Sequence, residues 1–261
     1  MKKADIYKAH GIGYKNGKIY HSEFGYISPL LCDGNTKVGK GVFTWSTLPT
    51  NKTYSGTING KDYSIKGTCP CHCKGCYATK GCYNYQSVID SMIRKTWLAM
   101  NDMAFVENAI NAQIIVDNIK IIRIHASGDF IDSAYVEMWR RIIRKNPSVK
   151  FWTYTKRVEF ESAFDEFENA NIVKSIIPNK GVNFGHCDYI IQTYFDLKNA
   201  GIDCYICKCG IDKNQHCTNC KSCSIHKYVL FVEHSTEYKA EDDPLYSVLA
   251  DIIASQETED C

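Results

Sequence analysis

Hydrophobic and polar positions change their period twice along this chain. Over the first seventy residues, short alternating stretches flank Asn16-Gly17 and Asn59-Gly60. Such dipeptides suit two-residue hairpin turns, whose central positions need positive φ. This part of the sequence predicts short strands and loops. From Tyr85 onward Val88, Met92, Ala99, Met103, Val106 and Ile110, with Ile89, Ile93 and Met100, recur at helical intervals. That pattern predicts a long helix broken near Asn101.

Strand and helix periods then alternate. A β-branched apolar strand over 119–125 ends in Ser127-Gly128-Asp129. Asp132 or Ser133 can cap the next helix, whose Tyr135, Met138, Trp139, Ile142 and Ile143 form one apolar face before Asn146-Pro147 stops it. A strand over 149–155, an amphipathic helix over 158–170, a strand over 172–177 and a helix over 189–200 closed by Gly201 follow. After Cys204 a cysteine-rich insert, too polar for core, interrupts the series before a strand over 227–233 and a short helix over 245–254.

Repeated βα order implies a parallel sheet covered by helices. The expected fold is α/β, a partial or irregular βα (TIM-like) barrel with an N-terminal β-rich segment and a C-terminal cysteine-rich metal module. The divisions fall at 1–68, 69–203, 204–226 and a final strand, helix and acidic tail over 227–261. Parallel βα sheets carry their working residues at the carboxyl ends of the strands, where His125 to Asp129 and Tyr154 to Lys156 stand.

Composition narrows the class. With 261 residues, 44% of them hydrophobic, the chain can bury a full-sized core without covalent staples. Its 31 Lys and Arg against 29 Asp and Glu leave +2, too balanced to point to a polyanionic partner, so nucleic acid is allowed but not indicated. No apolar stretch reaches the ~18 residues of a membrane span, and the first eleven residues lack the hydrophobic core of a secretory signal. The expectation is an unexported protein of the cytoplasm with no membrane partner. Fourteen cysteines exceed what packing needs, and in a reducing compartment clustered thiols serve as metal ligands.

Two clusters hold most of them. GTCPCHCKGCYATKGCYNY over 67–85 contains Cys69, Cys71, Cys73, Cys76 and Cys82. Cys69, Cys73 and Cys76 make C-x3-C-x2-C, whose thiolates can hold three corners of a [4Fe-4S] cluster and leave one iron open. Cys71 or Cys82 can replace one of these, and a four-thiolate zinc knot is the alternative. The second cluster, Cys204, Cys207, Cys209, Cys217, Cys220 and Cys223 with His216 and His226 nearby, suits either zinc or a second [4Fe-4S] cluster. Cys32, Cys187 and Cys261 are isolated. Seven polar groups at two strand ends, His125, Ser127, Asp129, Tyr154, Thr155, Lys156 and Arg157, converge on one cleft in this reading, with Lys156 or Arg157 suited to a carboxylate or phosphate.

The first spacing, ahead of a helix and a βα series, resembles the radical S-adenosylmethionine superfamily. That resemblance implies an open iron binding S-adenosylmethionine, an external electron donor, and a small-residue acidic turn holding the methionyl amine. Ser127, Gly128, Asp129 and His125 stand at the corresponding cofactor-binding place, with Lys156 or Tyr154 facing the substrate as catalytic candidates. Here the turn lacks the family's second glycine and glutamate, and Gly75 stands before the third cysteine where an aromatic is usual. Most of the span from Cys69 to His234 also resembles a family of phage and prophage proteins called after gene product eighty-eight of a mycobacterial phage. CYATKG from Cys76, RIHASGDF from Arg123, FWTYTKR from Phe151 and the late CxxCxxC carry the likeness. Other functions open to the sequence are a zinc-stabilised phage protein that binds nucleic acid or a host protein without catalysis, and a non-catalytic iron-sulfur redox or sensor protein.

Overall fold

The computed structural model describes residues 1–34, 38–71, 76–175, 186–208, 211–212, 215–220, 222–232 and 240–259. The chain opens with a short helix, α1 (Lys3–Ala9), which the strand-and-loop reading missed; its Tyr7 stacks on Tyr14 with ring centroids 4.8 Å apart. The two expected hairpins form. β1 (Gly13–Lys15) and β2 (Lys18–His21) turn at Asn16 and Gly17, both at positive φ, and β3 (Gly25–Ile27) adds to β2. β4 (Val42–Ser46) follows, then β5 (Thr53–Ile58) and β6 (Lys61–Lys66), which turn at Asn59 and Gly60 in the same way.

The long helix is two: α2 (Gln86–Asn101) and α3 (Met103–Val116). Asp102 breaks it, because its side chain accepts the Phe105 amide and so caps α3. β7 (Ile121–Ser127), α4 (Ser133–Lys145), β8 (Lys150–Thr155) and β9 (Ala170–Lys174) continue the series, and Asp132 caps α4. The order β4-β7-β8-β9 is an all-parallel four-stranded sheet. Among the described residues the strands form separate sheets and no closed barrel.

The helix expected over 158–170 is not there. A 3-10 turn at Val158–Phe160 leads into further turns closed by i→i+3 bonds, such as Ala163 N–H to Phe160 O and Phe167 N–H to Phe164 O. Tertiary packing overrides the period: these tighter turns set both Phe160 and Phe164 edge-on to Phe130, each at 5.7 Å.

α5 (Cys187–Asn199) ends in a Schellman arrangement, Gly201 N–H to Lys198 O and Ile202 N–H to Leu197 O, with Gly201 at φ +70°. β10 (Cys204–Ile206), α6 (Cys217–Cys220), β11 (Tyr228–Leu230) and α7 (Tyr246–Glu259) complete the chain. Cys204 to Ile206 were expected to be too polar for core; they are a buried strand, parallel to β11. The Lys174 amide donates to Lys227 O, which brings β11 against the β9 side of the sheet.

Strand alternation divides the core. Trp45, Ile122, Ile124, Phe151 and Ile172 pack with the apolar faces of α2, α3 and α4. The opposite face presents Val42, Ile121, Trp152, Tyr154 and Val173, and what covers it is the cysteine module through Cys207, Cys217 and Cys223. A third cluster joins α5, α7, β10 and β11.

Candidate metal and cofactor site

The first cysteine loop is sewn onto the carboxyl end of the parallel sheet. Gly67, Thr68 and Cys69 amides donate to Lys52, Leu48 and Thr50 carbonyls, just beyond β4. The Asp129 amide, just beyond β7, donates to Thr68 Oγ1 at 2.8 Å, and Thr68 Oγ1 also meets Thr47 Oγ1. Gly128 has to be glycine here: its φ is +85°, and an added Cβ would lie 1.9 Å from Thr47 Oγ1 and 2.7 Å from Thr68 Oγ1.

Buried Asp129 accepts three hydrogen bonds, from the Phe130 amide, Thr155 Oγ1 and the Lys156 amide. Burial nonetheless raises its carboxyl above the ordinary range, opposed by these bonds and by the Lys156 charge. The Cys69 thiol lies in the same field; burial, with the Asp129 charge beside it, pushes it up to about 12, against the Thr50 hydrogen bond and Lys156. Cys76 also acts on Cys69, so these two thiols share one neighbourhood. Arg157 reaches toward Thr68 O at 3.4 Å and keeps a buried Nε with no hydrogen-bond partner among the described residues. Cys69, Asp129, Lys156 and Arg157 are therefore brought together. Cys73 lies outside the described residues; Cys71 is partly buried and Cys82 exposed.

Other expected members go elsewhere. His125 sits at φ +55° where three residues of β7 stand against one of β4, between the Arg123–Thr44 and Ser127–Ser46 pairs. Its ring is buried away from the cysteine loop: Nδ1 meets Thr153 Oγ1 and Nε2 meets Tyr135 OH, each at 3.0 Å, and Tyr135 OH in turn accepts Trp45 Nε1–H. Burial drives its pKa down to about 3, so the imidazole is neutral. Ser127 is buried and donates to Thr47 O at 2.8 Å, which fixes the turn from below.

Tyr154 faces the second cysteine group, its hydroxyl donating to Cys223 Sγ at 3.0 Å. That group is held by buried Asn171, whose amide donates to the Cys223 and His226 carbonyls at 3.0 and 2.8 Å, and by Thr218 Oγ1, which donates to Val38 O. Cys217 and Cys220 act electrostatically on Cys223, whose thiol burial pushes up to about 12. Cys207 packs in the same apolar cluster. Cys204 does not: it points into the cluster of α5 and α7, with Sγ toward Tyr194 O. His226 Nδ1 is taken by Asp203 at 2.7 Å, while His216 Nδ1 is buried with no hydrogen-bond partner among the described residues. Cys209 lies outside the described residues.

The eleven described cysteines form no disulfide, and among the described residues no three His, Cys, Asp or Glu side chains are already closed around a point as a metal shell. The donor chemistry still fits thiophilic metal. Neutral thiols gathered in low-dielectric surroundings become ligands when a cation offsets the cost of the thiolate.

Sequence reasoning gave Arg123, Tyr77, Thr68 and Asn171 no role. Arg123 had a signal, a cation inside an apolar strand run; Asn171 had none. Arg123 donates to Tyr77 OH at 3.1 Å and covers the Tyr154 ring at 5.0 Å, and Tyr77 OH donates to Ala126 O.

Among known proteins, the family described as Gene product 88 matches residues 29–224. The Gene 88 protein of Mycobacterium phage L5 is 25% identical over 155 residues, covering 51% of this chain and 64% of that protein. The Gene 88 protein of Mycobacterium phage D29 is 25% identical over 156 residues, with the same coverage. The match thus spans less than two thirds of the length of these relatives. No solved structure matches, and no helix among the described residues is long and apolar enough to cross a membrane. With the family match running from before β4 through the cysteine module, the chain belongs to the Gene product 88 family.

Proposed function

We propose that this protein is a radical S-adenosylmethionine-like iron-sulfur enzyme, with the first cluster on Cys69, Cys73 and Cys76. One observation carries the reading: the cysteine loop is hydrogen-bonded to the carboxyl end of a parallel sheet beside Asp129 and Lys156. Working sites of βα sheets lie at that end. We read the sheet, with β11 and β10 beyond β9, as part of an irregular βα barrel.

When bound, the cluster would pass one electron from an external donor to the sulfonium of S-adenosylmethionine, breaking a carbon–sulfur bond to give methionine and a 5′-deoxyadenosyl radical. The chain's own residues bind and orient. Asp129 has one acceptor position left after its three hydrogen bonds, suited to an ammonium. Lys156 and the unpaired Nε of Arg157 suit a carboxylate. Gly128 lets the turn approach Thr47 and Thr68 closely, and Tyr77 and Tyr83 brace the loop on Ala126 O. Lys156 is the residue left to face a substrate, since Tyr154 is turned to Cys223.

For the second group a structural metal is the reading its surroundings favour. Cys207 and Cys223 are buried against Val38, Trp152, Val173 and Val229, a place suited to a closed thiolate shell of zinc or an auxiliary cluster.

The test is incubation of anaerobic protein with dithionite and S-adenosylmethionine, with 5′-deoxyadenosine measured. Its formation, lost in Cys76→Ala, is expected; none from iron-loaded wild type rejects the reading.

A further inference from the structure

Among the described residues Arg123 is a cation without an anion. It lies partly buried on β7, on the face turned away from the helices, and its Nε is buried with no hydrogen-bond partner among the described residues. Among the described residues no Asp or Glu pairs with it. Its neighbours are two phenols and two thiols: Tyr77 at 3.1 Å, the Tyr154 ring at 5.0 Å, and Cys217 and Cys223, whose sulfurs lie within its field. A guanidinium drawn out of water needs a compensating negative charge.

Among the described residues, thiolates gathered by a metal are the nearby groups that would provide it. Four thiolates around zinc, or around a [4Fe-4S] core, carry a net charge of about −2. A continuous line of contacts also runs from one cysteine site to the other. Tyr77 follows Cys76, its hydroxyl accepts from Arg123, the guanidinium lies over Tyr154, and the Tyr154 hydroxyl donates to Cys223 Sγ.

We propose that Arg123 is a positioning residue shared by both cysteine sites: it is the counter-charge of the thiolate centre built from Cys207, Cys217, Cys220 and Cys223, and its bond to Tyr77 ties that centre to the first cysteine loop. This rests on the reading that the C-terminal cysteines bind metal. Arg123 touches no ligand position itself; it lowers the cost of gathering thiolates beneath the sheet and orients the tyrosine that donates to one of them. Outer residues of this kind change metal affinity by about 10–100-fold.

The test uses the full chain loaded with zinc and a chromophoric chelator to follow metal release. The release phase abolished by Cys220→Ala belongs to the second group. In Arg123→Met that phase is expected to be faster by at least about 10-fold, and Arg123→Lys, which keeps the charge, should recover much of the loss. Cobalt substitution gives a second readout, since the sulfur-to-cobalt charge-transfer band should shift in Arg123→Met and not in a merely loosened fold. If Arg123→Met does not fold, Arg123→Gln makes the same comparison. Unchanged release and spectrum in a folded neutral variant overturn the inference while leaving the metal reading intact. Equal loss in Arg123→Lys and Arg123→Met overturns the charge role. Wild type that takes up no zinc at Cys220 overturns both.

Discussion

The Lys156 amide donates to the Asp129 carboxylate at 2.9 Å, locking the carboxyl end of β8 to that of β7. Thr155 Oγ1 adds a second tie at 2.7 Å, and through Thr68 the same turn holds the residue next to Cys69. One buried carboxylate thus sets the distance between the strand ends and the cysteine loop.

Asp129→Asn replaces one of two acceptor oxygens by a donor, facing groups that are themselves donors. It is expected to lower the unfolding free energy by about 2 kcal/mol, measured by urea titration of metal-free protein. An unchanged midpoint would mean that the carboxylate does not join the strands in solution.

His125 gives the fold a pH dependence. Its pKa is about 3 when folded against 6.5 when free. Between those values the unfolded chain binds a proton that the folded chain does not. The contribution is therefore fully present above about pH 6.5 and lost as pH falls toward 3, at up to about 1.4 kcal/mol per pH unit. His125→Asn, a residue that tolerates the left-handed backbone, should flatten stability between pH 6.5 and 5 by about one proton; an identical slope in both proteins would contradict the buried neutral ring.

Asn171 is the peg of the cysteine module. Asn171→Leu leaves the Cys223 and His226 carbonyls without their donor and should cost about 2 kcal/mol or more. Limited proteolysis should cut the variant faster within 204–226 while cleavage near α2 and α3 stays slow. Uniform cleavage of the whole chain would show that the module does not open on its own.

Much of this arrangement is local and hence legible in sequence. Asn16-Gly17 and Asn59-Gly60 dictate their turns, Asp102 interrupts a helical period, and the strand-to-turn change at Ser127 marks the end of β7. What escaped is tertiary. Phe160, Phe164 and Phe167 have helical spacing, yet their aromatic partners select turns. The register shift around His125 swings an apparent cleft histidine into the core, because periodicity cannot register a bulge. Cysteine spacing placed Cys204 and Cys207 together, but a short buried strand sends them to different clusters. Nor does any one-dimensional pattern say that the module lies against the second face of the sheet, where Tyr154 and Arg123 meet it.

The central claim is that the first loop carries an iron-sulfur cluster beside Asp129. The most direct measurement is iron, acid-labile sulfide and zinc on protein purified without oxygen, in wild type and in Cys73→Ala. Loss of about four irons and four sulfides on that substitution, with the metal of the second group retained, is the expected result. Zinc without sulfide in both proteins would contradict it and leave the cysteines as structural knots of a non-catalytic binding protein.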